Sequence, residues 1–504
     1  DHHASASPER VAYRVGDVAV TYRQMVDGSI RIANLLRSRG LRRGDTVAIV
    51  LPNVPGLFEV VWACQRSGLL YTLISTRLNA SDTAYILQDS DASVVVVSAA
   101  TADATREALE ITPVGLRFAI GSPVAGFETI DELLPSQPAE PSADECEGSD
   151  LLYSSGTTGR PKAISVEPDF APLGTNQGSG PFLQQTWGFD ADTVYLSPAP
   201  LYHAAPLRFC LVVHRFGGTV IVMDRFDAER ALDAVQRHRV THTQMVPTML
   251  VRILRLPEDV RLSYDMSSLR AVVHAAAPCP PPVKRAMIEW LGPIVDEYYS
   301  STENALMTLI RSDEALSRPG SVGRAIIGTP HILDDDGHEV PTGVSGNIWS
   351  EGGLDFVYRN DPEKTAAARN ERGWTTVGDL GHLDDEGYLF LSDRRADLIL
   401  SGGVNIYPQE SENVLIGHQA VSDVAVIGVP DDELGEKAQA FVQLRPGHVA
   451  SDELAQELLD FCAAGLSRFK CPRALVFVED FPRTPTGKLM RRELRVQFTT
   501  KELT

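Results

Sequence analysis

The sequence predicts an α/β protein: a large N-terminal domain with parallel αβ sheets plus an antiparallel subdomain, and a small C-terminal α/β domain. Three observations predict it. Strand-like and helix-like segments alternate as far as about residue 300. From about residue 320 short strands and glycine turns take over, and after about 395 a compact α/β texture returns. Repeated βα units imply a largely parallel sheet with helices on both faces. A little over a hundred residues suffice for an independent small domain.

The elements follow in order. Segment 21–40 carries Met25, Ile32, Leu35 and Leu36 at helical spacing and ends at Gly40, a plausible C′ residue. Residues 45–51 (DTVAIVL) read as a buried strand, and 57–67 (LFEVVWACQRS) as a helix before Gly68. The β-branched run 92–98 (ASVVVVS) suits a strand covered on both faces. Residues 135–150 are polar and read as a loop. Turn signals at Asp336-Gly337, Gly343, Gly346, Gly352-Gly353 and Gly387 mark the antiparallel subdomain. In the last stretch, 423–429 (DVAVIGV) and 474–479 (ALVFVE) read as strands around a helix that ends at Gly465.

Composition narrows the function. The chain has 504 residues, a net charge of −21, 43% hydrophobic and 22% charged residues. That is ordinary globular composition over a length of roughly three domains. The charge argues against a protein that coats nucleic acid or an anionic membrane surface, since both are met with a basic face. It leaves room for small anionic ligands held by a few cations in one cleft. No run of 18 apolar residues occurs, so no spanning helix is expected. Six cysteines (Cys64, Cys146, Cys210, Cys279, Cys462, Cys471) lack CxxC spacing, which suits reduced thiols and a cytoplasmic location. The start at Asp1-His2-His3, with neither Met nor an apolar signal core, reads as trimmed. The sequon Asn79-Ala80-Ser81 reads as chance.

The most informative stretch is Tyr153-Ser154-Ser155-Gly156-Thr157-Thr158-Gly159-Arg160-Pro161-Lys162. Successive small hydroxyl and glycine residues let backbone N–H groups approach an anion, and Lys162 adds a compact positive charge. A polyphosphate suits such a loop. It is not a Walker A loop, which needs four residues between its glycines and then Lys-Ser/Thr, and it is not a dinucleotide fingerprint. A plain surface loop is the competing reading.

The loop matches the S-[ST]-G-T-T-G-x-P-K signature, and on it the chain resembles the acyl- and aryl-CoA synthetase branch of the adenylate-forming superfamily. The resemblance runs over nearly the whole chain, with motifs in order from 153 to 492. It implies that Ser154, Ser155, Gly156, Thr157, Thr158, Gly159 and Lys162 cradle ATP. Tyr299-Ser300-Ser301-Thr302-Glu303 resembles Y-G-x-T-E. There the family implies adenine stacking by Tyr299, an α-phosphate contact from Thr302 and a Mg²⁺ ligand in Glu303, a hard oxygen suited to that ion. Ser300 stands where the family usually has glycine, and Asn304 where glycine often follows the glutamate. Gly373-Trp374-Thr375-Thr376-Val377-Gly378-Asp379 resembles G-W-x-x-T-G-D, with Asp379 at the ribose position and Val377 in place of the usual Thr.

Asp393-Arg394-Arg395-Ala396-Asp397 resembles the junction between the family's two domains, Arg394 matching a ribose-binding arginine. Residues 1–393 are thus expected to form the ATP- and acid-binding domain, 394–396 a hinge and 397–504 a mobile domain. Ala396 replaces the usual polar pivot. Gly402 and Gly403 match a loop that lines the pantetheine tunnel in the family's second conformation. Pro482-Arg483-Thr484-Pro485-Thr486-Gly487-Lys488 resembles P-R-T-x-[ST]-G-K, with Lys488 at the catalytic lysine. A carboxylate attacking a phosphate brings two anions together, and a fixed ammonium offsets their repulsion. Across 466–495, eight basic residues face three acidic ones, a local charge of +5 that suits CoA. Phe469 and Lys470 fall near that site by analogy, and Arg491 and Arg492 read as a solvated basic tail.

Pro200-Leu201-Tyr202-His203-Ala204-Ala205 resembles the motif flanking the acid pocket, with His203 as its gate or carboxylate neighbour. His238 and His242 lack the glutamate of a metalloprotease motif, and Cys279, set among prolines, reads as packed. The resemblance implies catalytic roles for Lys488, Thr158, Glu303 and His203, with ATP, Mg²⁺ and CoA as cofactors. The expected activity is two-step acyl-CoA ligation. The acid pocket is expected along 203–209, 241–249, 273–279 and 299–307. Its alanines, and no acyl-facing cation beyond Arg208, favour a bulky apolar acid (fatty, aryl or steroid side-chain) over a dicarboxylate. Loading of a carrier protein and non-catalytic acyl-nucleotide binding are the other readings. The expected partners are the carboxylic acid and CoA, with a homodimer allowed.

Overall fold

The computed structural model describes residues 1–154, 161–165, 169–176, 178–394, 397–401, 404–431, 434–466, 468–483 and 489–499. They fall into two compact units. The first comprises Asp1–Met245, Leu256–Val273 and Asp355–Ala366, and the second Val246–Arg255, His274–Leu354 and Ala367–Thr504.

The first unit carries the parallel sheets that the βα alternation predicts. One sheet runs Glu128–Thr129, Leu116–Ile120, Ala92–Ser98, Thr46–Val50, Leu70–Leu73 and Ser149–Asp150, with every neighbouring pair parallel. Its centre is the β-branched run: Val94, Val95, Val96 and Val97 are at most 1% exposed, so both faces are covered. A second run places His242–Met245, Val194–Ser197, Thr219–Val222 and Val11–Val15 side by side in parallel. The helix Tyr22–Ser38 opens with a capping box from Thr21 and Gln24. It closes as its sequence predicts: Arg39 is the C-cap and Gly40 follows at φ +97°, a conformation that costs other residues a Cβ clash. The sequon residue Asn79 has a structural job, because its side chain accepts from the Asp82 N–H at 2.8 Å and caps the helix Ala80–Asp89.

The second unit begins with antiparallel strands. Their order is Val295–Ser300, Met307–Ile310, Ser321–Ile327, Leu389–Arg394, Asp379–Leu383, Gly346–Glu351 and Thr329–Leu333. Its C-terminal part is a sheet ordered Val404–Ile406, Ile399–Ser401, Gly435–Leu444 and Val421–Asp431, with Ala474–Phe477 added in parallel on Gly435–Leu444. Alternation along Val421–Asp431 sends Val424 and Val426 into one core with Leu415 and Leu458. It sends Ala425 and Ile427 into another with Phe441 and Leu494. Among the described residues no helix is long and apolar enough to cross a membrane, and all six cysteines are unpaired.

One carboxylate in the first unit works against the fold at high pH. Glu59 accepts the Tyr13 hydroxyl at 2.8 Å on both oxygens, and removal from water pushes it up to about 7. The folded state therefore holds this proton more tightly than the unfolded chain does. Its stabilising contribution is complete below about pH 4.5 and is lost as pH rises through 7. Glu59→Gln is expected to flatten that decline and to stabilise the protein at pH 8 by up to about 3 kcal/mol. Thermal unfolding midpoints of both proteins at pH 5 and pH 8 check this, and equal pH slopes would refute it.

Candidate active site

Two described strands flank the phosphate-loop stretch in the sequence. Leu152–Ser154 and Lys162–Ser165 pair antiparallel, with Lys162 opposite Ser154 and Ala163 opposite Tyr153. Ser155, Gly156, Thr157, Thr158 and Gly159 lie outside the described residues. The strand pair is anchored. Tyr153 donates its hydroxyl to Asp89 Oδ2 at 2.6 Å, and Val357–Tyr358 adds a third strand on Ile164 and Ser165. Arg359 and Asn360 reach back to Asp89, through its carbonyl at 3.0 Å and its Oδ1 at 3.1 Å. The Lys162 ammonium sits 5.3 Å from the Tyr358 ring centroid, a cation–π contact that directs a long side chain. The anchor residues Asp89, Arg359 and Asn360 carry no sequence motif, because their role depends on a long-range pairing.

His203 stands in the same unit, immediately before the helix Ala204–Phe216. The loop that carries it is held by the buried Asn53. This residue donates to the carbonyls of Ala199 (3.1 Å) and Met223 (2.8 Å) and accepts from the Leu201 N–H (2.9 Å). Burial pushes His203 down to about 4, so the ring is neutral at pH 7. Its Nε2 is buried and makes no hydrogen bond among the described residues. Arg208, one turn along, is claimed by Asp150 in a two-point pair at 2.7 and 3.2 Å. His242 bonds Trp187 O and Thr241 Oγ1, both at 2.7 Å, which makes it a structural histidine. Cys279 is half-buried, and burial pushes its thiol up, away from nucleophilic use.

In the second unit the motif 299–303 ends the strand Val295–Ser300, and the chain returns in Met307–Ile310, with Ser300 paired to Met307. The Asn304 N–H donates to Ser301 O at 3.1 Å, closing a turn whose central residues are Thr302 and Glu303. The Tyr299 ring packs against a core of Leu306, Val322, Ile332, Ile348 and Leu389. Its hydroxyl donates to Asp379 Oδ2 at 2.6 Å, so two motifs 80 residues apart meet. Asp379 is 6% exposed and lies opposite Arg394 in the ladder of Asp379–Leu383 with Leu389–Arg394. The residues expected to hold adenine and ribose thus share one sheet.

Behind segment 273–279 lies a polar cluster that sequence reading passed over. His274 is fully buried, its Nε2 is 3.9 Å from Glu297 Oε2, and neither ring nitrogen makes a hydrogen bond among the described residues. Lys284 donates to the same Glu297 carboxylate, which burial pushes up. A Lys four residues into a helix and a Glu in a strand give no local signal of meeting.

The C-terminal part corrects one reading. Arg491 is no solvated tail residue: its guanidinium pairs with Glu412 at 2.6 and 2.7 Å from the helix Arg491–Thr499. Lys470 pairs with Glu410 at 2.8 Å, and Arg483 with Asp423. The +5 excess at 466–495 is therefore partly consumed inside the domain. Gly402, Gly403, Lys488 and the hinge residue Ala396 lie outside the described residues.

Comparison with known proteins fits this geometry. A family described as AMP-binding enzyme matches residues 1–355, and its C-terminal domain family matches residues 410–488. The chain belongs to the AMP-binding enzyme family. Within it the chain is an acyl-CoA synthetase, an AMP-forming acid–thiol ligase that works through an acyl-adenylate. It is 34% identical to the long-chain-fatty-acid–CoA ligase FadD13 of Mycobacterium tuberculosis, over 98% of this chain and 97% of the relative. It superposes with TM-score 0.80 and 29% identity on o-succinylbenzoate CoA synthetase (MenE) of Bacillus subtilis bound to the acyl-adenylate OSB-AMP, covering 98% and 97% of the two chains. The anthranilate CoA ligase AuaEII bound to anthranoyl-AMP superposes with TM-score 0.86 at 26% identity, covering 100% and 97%.

Proposed function

We propose that the chain is a cytoplasmic ligase that activates a bulky, apolar carboxylic acid with Mg·ATP and transfers the acyl group to CoA. The observation that carries the nucleotide side is the Tyr299–Asp379 hydrogen bond, which unites the adenine and ribose motifs at 2.6 Å. Asp379 accepts the ribose hydroxyls, with Arg394 opposite it, and the loop 154–159 with Lys162 takes the β- and γ-phosphates. Thr302 donates to the α-phosphate. Glu303, at the tip of its turn, offers the hard carboxylate oxygen that Mg²⁺ takes, and the ion supplies charge neutralisation for departing pyrophosphate. Lys488 holds acid carboxylate and α-phosphate together, and AMP and pyrophosphate are the by-products. Residues 397–504 then turn about 394–396, and Gly402 and Gly403 leave room for the pantetheine arm.

Three features support an apolar acid. Arg208 is neutralised by Asp150, His203 is uncharged at pH 7, and Ala204 and Ala205 open the helix beside it. The Nε2 of His203, without a hydrogen bond among the described residues, offers one neutral polar atom to an incoming carboxylate or its acyl-adenylate. Pyrophosphate release, measured with CoA across acids from acetate to long-chain, aryl and steroid side-chain acids, tests this. kcat/KM is expected to rise with apolar size by about tenfold per 1.4 kcal/mol of side chain buried. A preference for acetate or for a short dicarboxylate would overturn it.

A further inference from the structure

The two positions at which the 299–304 motif departs from the family pattern are bonded to each other. Ser300 Oγ donates toward Asn304 Oδ1 at 3.1 Å, with Leu306 O at 3.1 Å and Ser301 O at 3.3 Å as its competing acceptors. Asn304 has φ +52°, in the left-handed region where glycine is most at home and asparagine next. Asparagine thus meets the backbone demand that glycine usually meets there, and adds a side chain that glycine lacks. Just beyond the turn the chain is clamped. Ala305 O accepts from Ser350 Oγ at 2.7 Å, and Leu354 N–H donates to Asn304 O at 3.3 Å. A Cβ on Gly353 would collide with the Ala305 carbonyl.

We propose that Ser300 and Asn304 form a matched clasp that positions the turn presenting Thr302 and Glu303. The inference rests on the nucleotide reading given above. The two residues touch no reacting atom in this account; they are positioning residues acting through Thr302 and Glu303. With the backbone bond from Asn304 N–H to Ser301 O, the side-chain bond spans the same turn a second time. That restraint lowers the freedom of a turn whose two central side chains must meet triphosphate and metal together. It works as a pair. Removing the serine leaves the Asn304 amide without its hydroxyl, and removing the asparagine leaves the hydroxyl to the carbonyls of Ser301 and Leu306.

The test is a double-mutant cycle on the full chain: Ser300→Gly, Asn304→Gly and both together. Glycine at 304 keeps the positive φ, so the backbone is not forced, and thermal midpoints report folding. Acid-dependent ATP–pyrophosphate exchange is read against Mg²⁺, ATP and acid concentration. Each single change is expected to lower kcat about fivefold to twentyfold and to raise the Mg²⁺ needed for half-activation. The double mutant is expected to fall short of the product of the two losses by about fivefold or more. The KM for the acid should stay within about twofold. Losses that multiply, or an effect falling on the acid KM, would overturn the clasp. Absence of exchange in the unmodified chain with every acid would instead overturn the adenylation reading.

Discussion

Lys488→Ala is expected to slow acyl-adenylate formation by about 10²–10³-fold or more while leaving CoA transfer from preformed acyl-adenylate nearly intact. The reason is electrostatic. In the first half-reaction a carboxylate must approach a phosphate that already carries negative charge. In a cleft that excludes water, one ammonium between them removes most of that repulsion. In the second half-reaction a neutral mixed anhydride carbonyl is attacked by a thiol, and no second anion has to be brought to the phosphate. Lys488 sits at the end of the P-R-T-P-T-G-K stretch on the C-terminal domain, whose glycine loop 402–403 is proposed to serve the second step. The proposal that one mobile domain carries both motifs predicts that the two half-reactions are separable by mutation. Synthetic acyl-AMP with CoA, followed by thioester absorbance, measures the second step alone. Equal losses in both steps would refute the two-position account.

The second large effect is expected at Asp379. A buried carboxylate that accepts two ribose hydroxyls contributes charge-assisted bonds of about 1.5–3 kcal/mol each. Asp379→Ala is therefore expected to raise the KM for ATP by about 10²-fold or more, with the acid KM little changed. Tyr299→Phe removes only the hydroxyl that donates to Asp379 at 2.6 Å and should cost about tenfold or less. Titrating ATP in the pyrophosphate-exchange assay distinguishes them. An unchanged ATP KM in Asp379→Ala would remove Asp379 from the nucleotide site.

The α/β class and its main elements were legible because hydrophobic period is a local property. The valine run 92–98 and the helix ending before Gly40 stand where the pattern places them. The candidate motifs stand out in the sequence because each is contiguous: a Ser/Thr/Gly stretch between two strands, a turn, a strand start. Contacts that join motifs do not. Nothing in the sequence pairs Tyr299 with Asp379, Tyr153 with Asp89, or Lys284 with Glu297, since each meeting depends on a sheet assembled over many residues. Charge was misleading for a related reason. Arg491 looked like one more cation in a basic tail, yet Glu412, on the helix Pro408–Leu415, neutralises it. Ser300 and Asn304 were visible only as separate departures, and the fold shows them to be partners.

Acid-dependent exchange of labelled pyrophosphate into ATP, in the absence of CoA, tests the central claim most directly. The account predicts exchange that requires an apolar acid and Mg²⁺. On adding CoA, exchange should give way to stoichiometric AMP and acyl-CoA. Release of ADP and phosphate, or no exchange with any acid across the graded series, would contradict it.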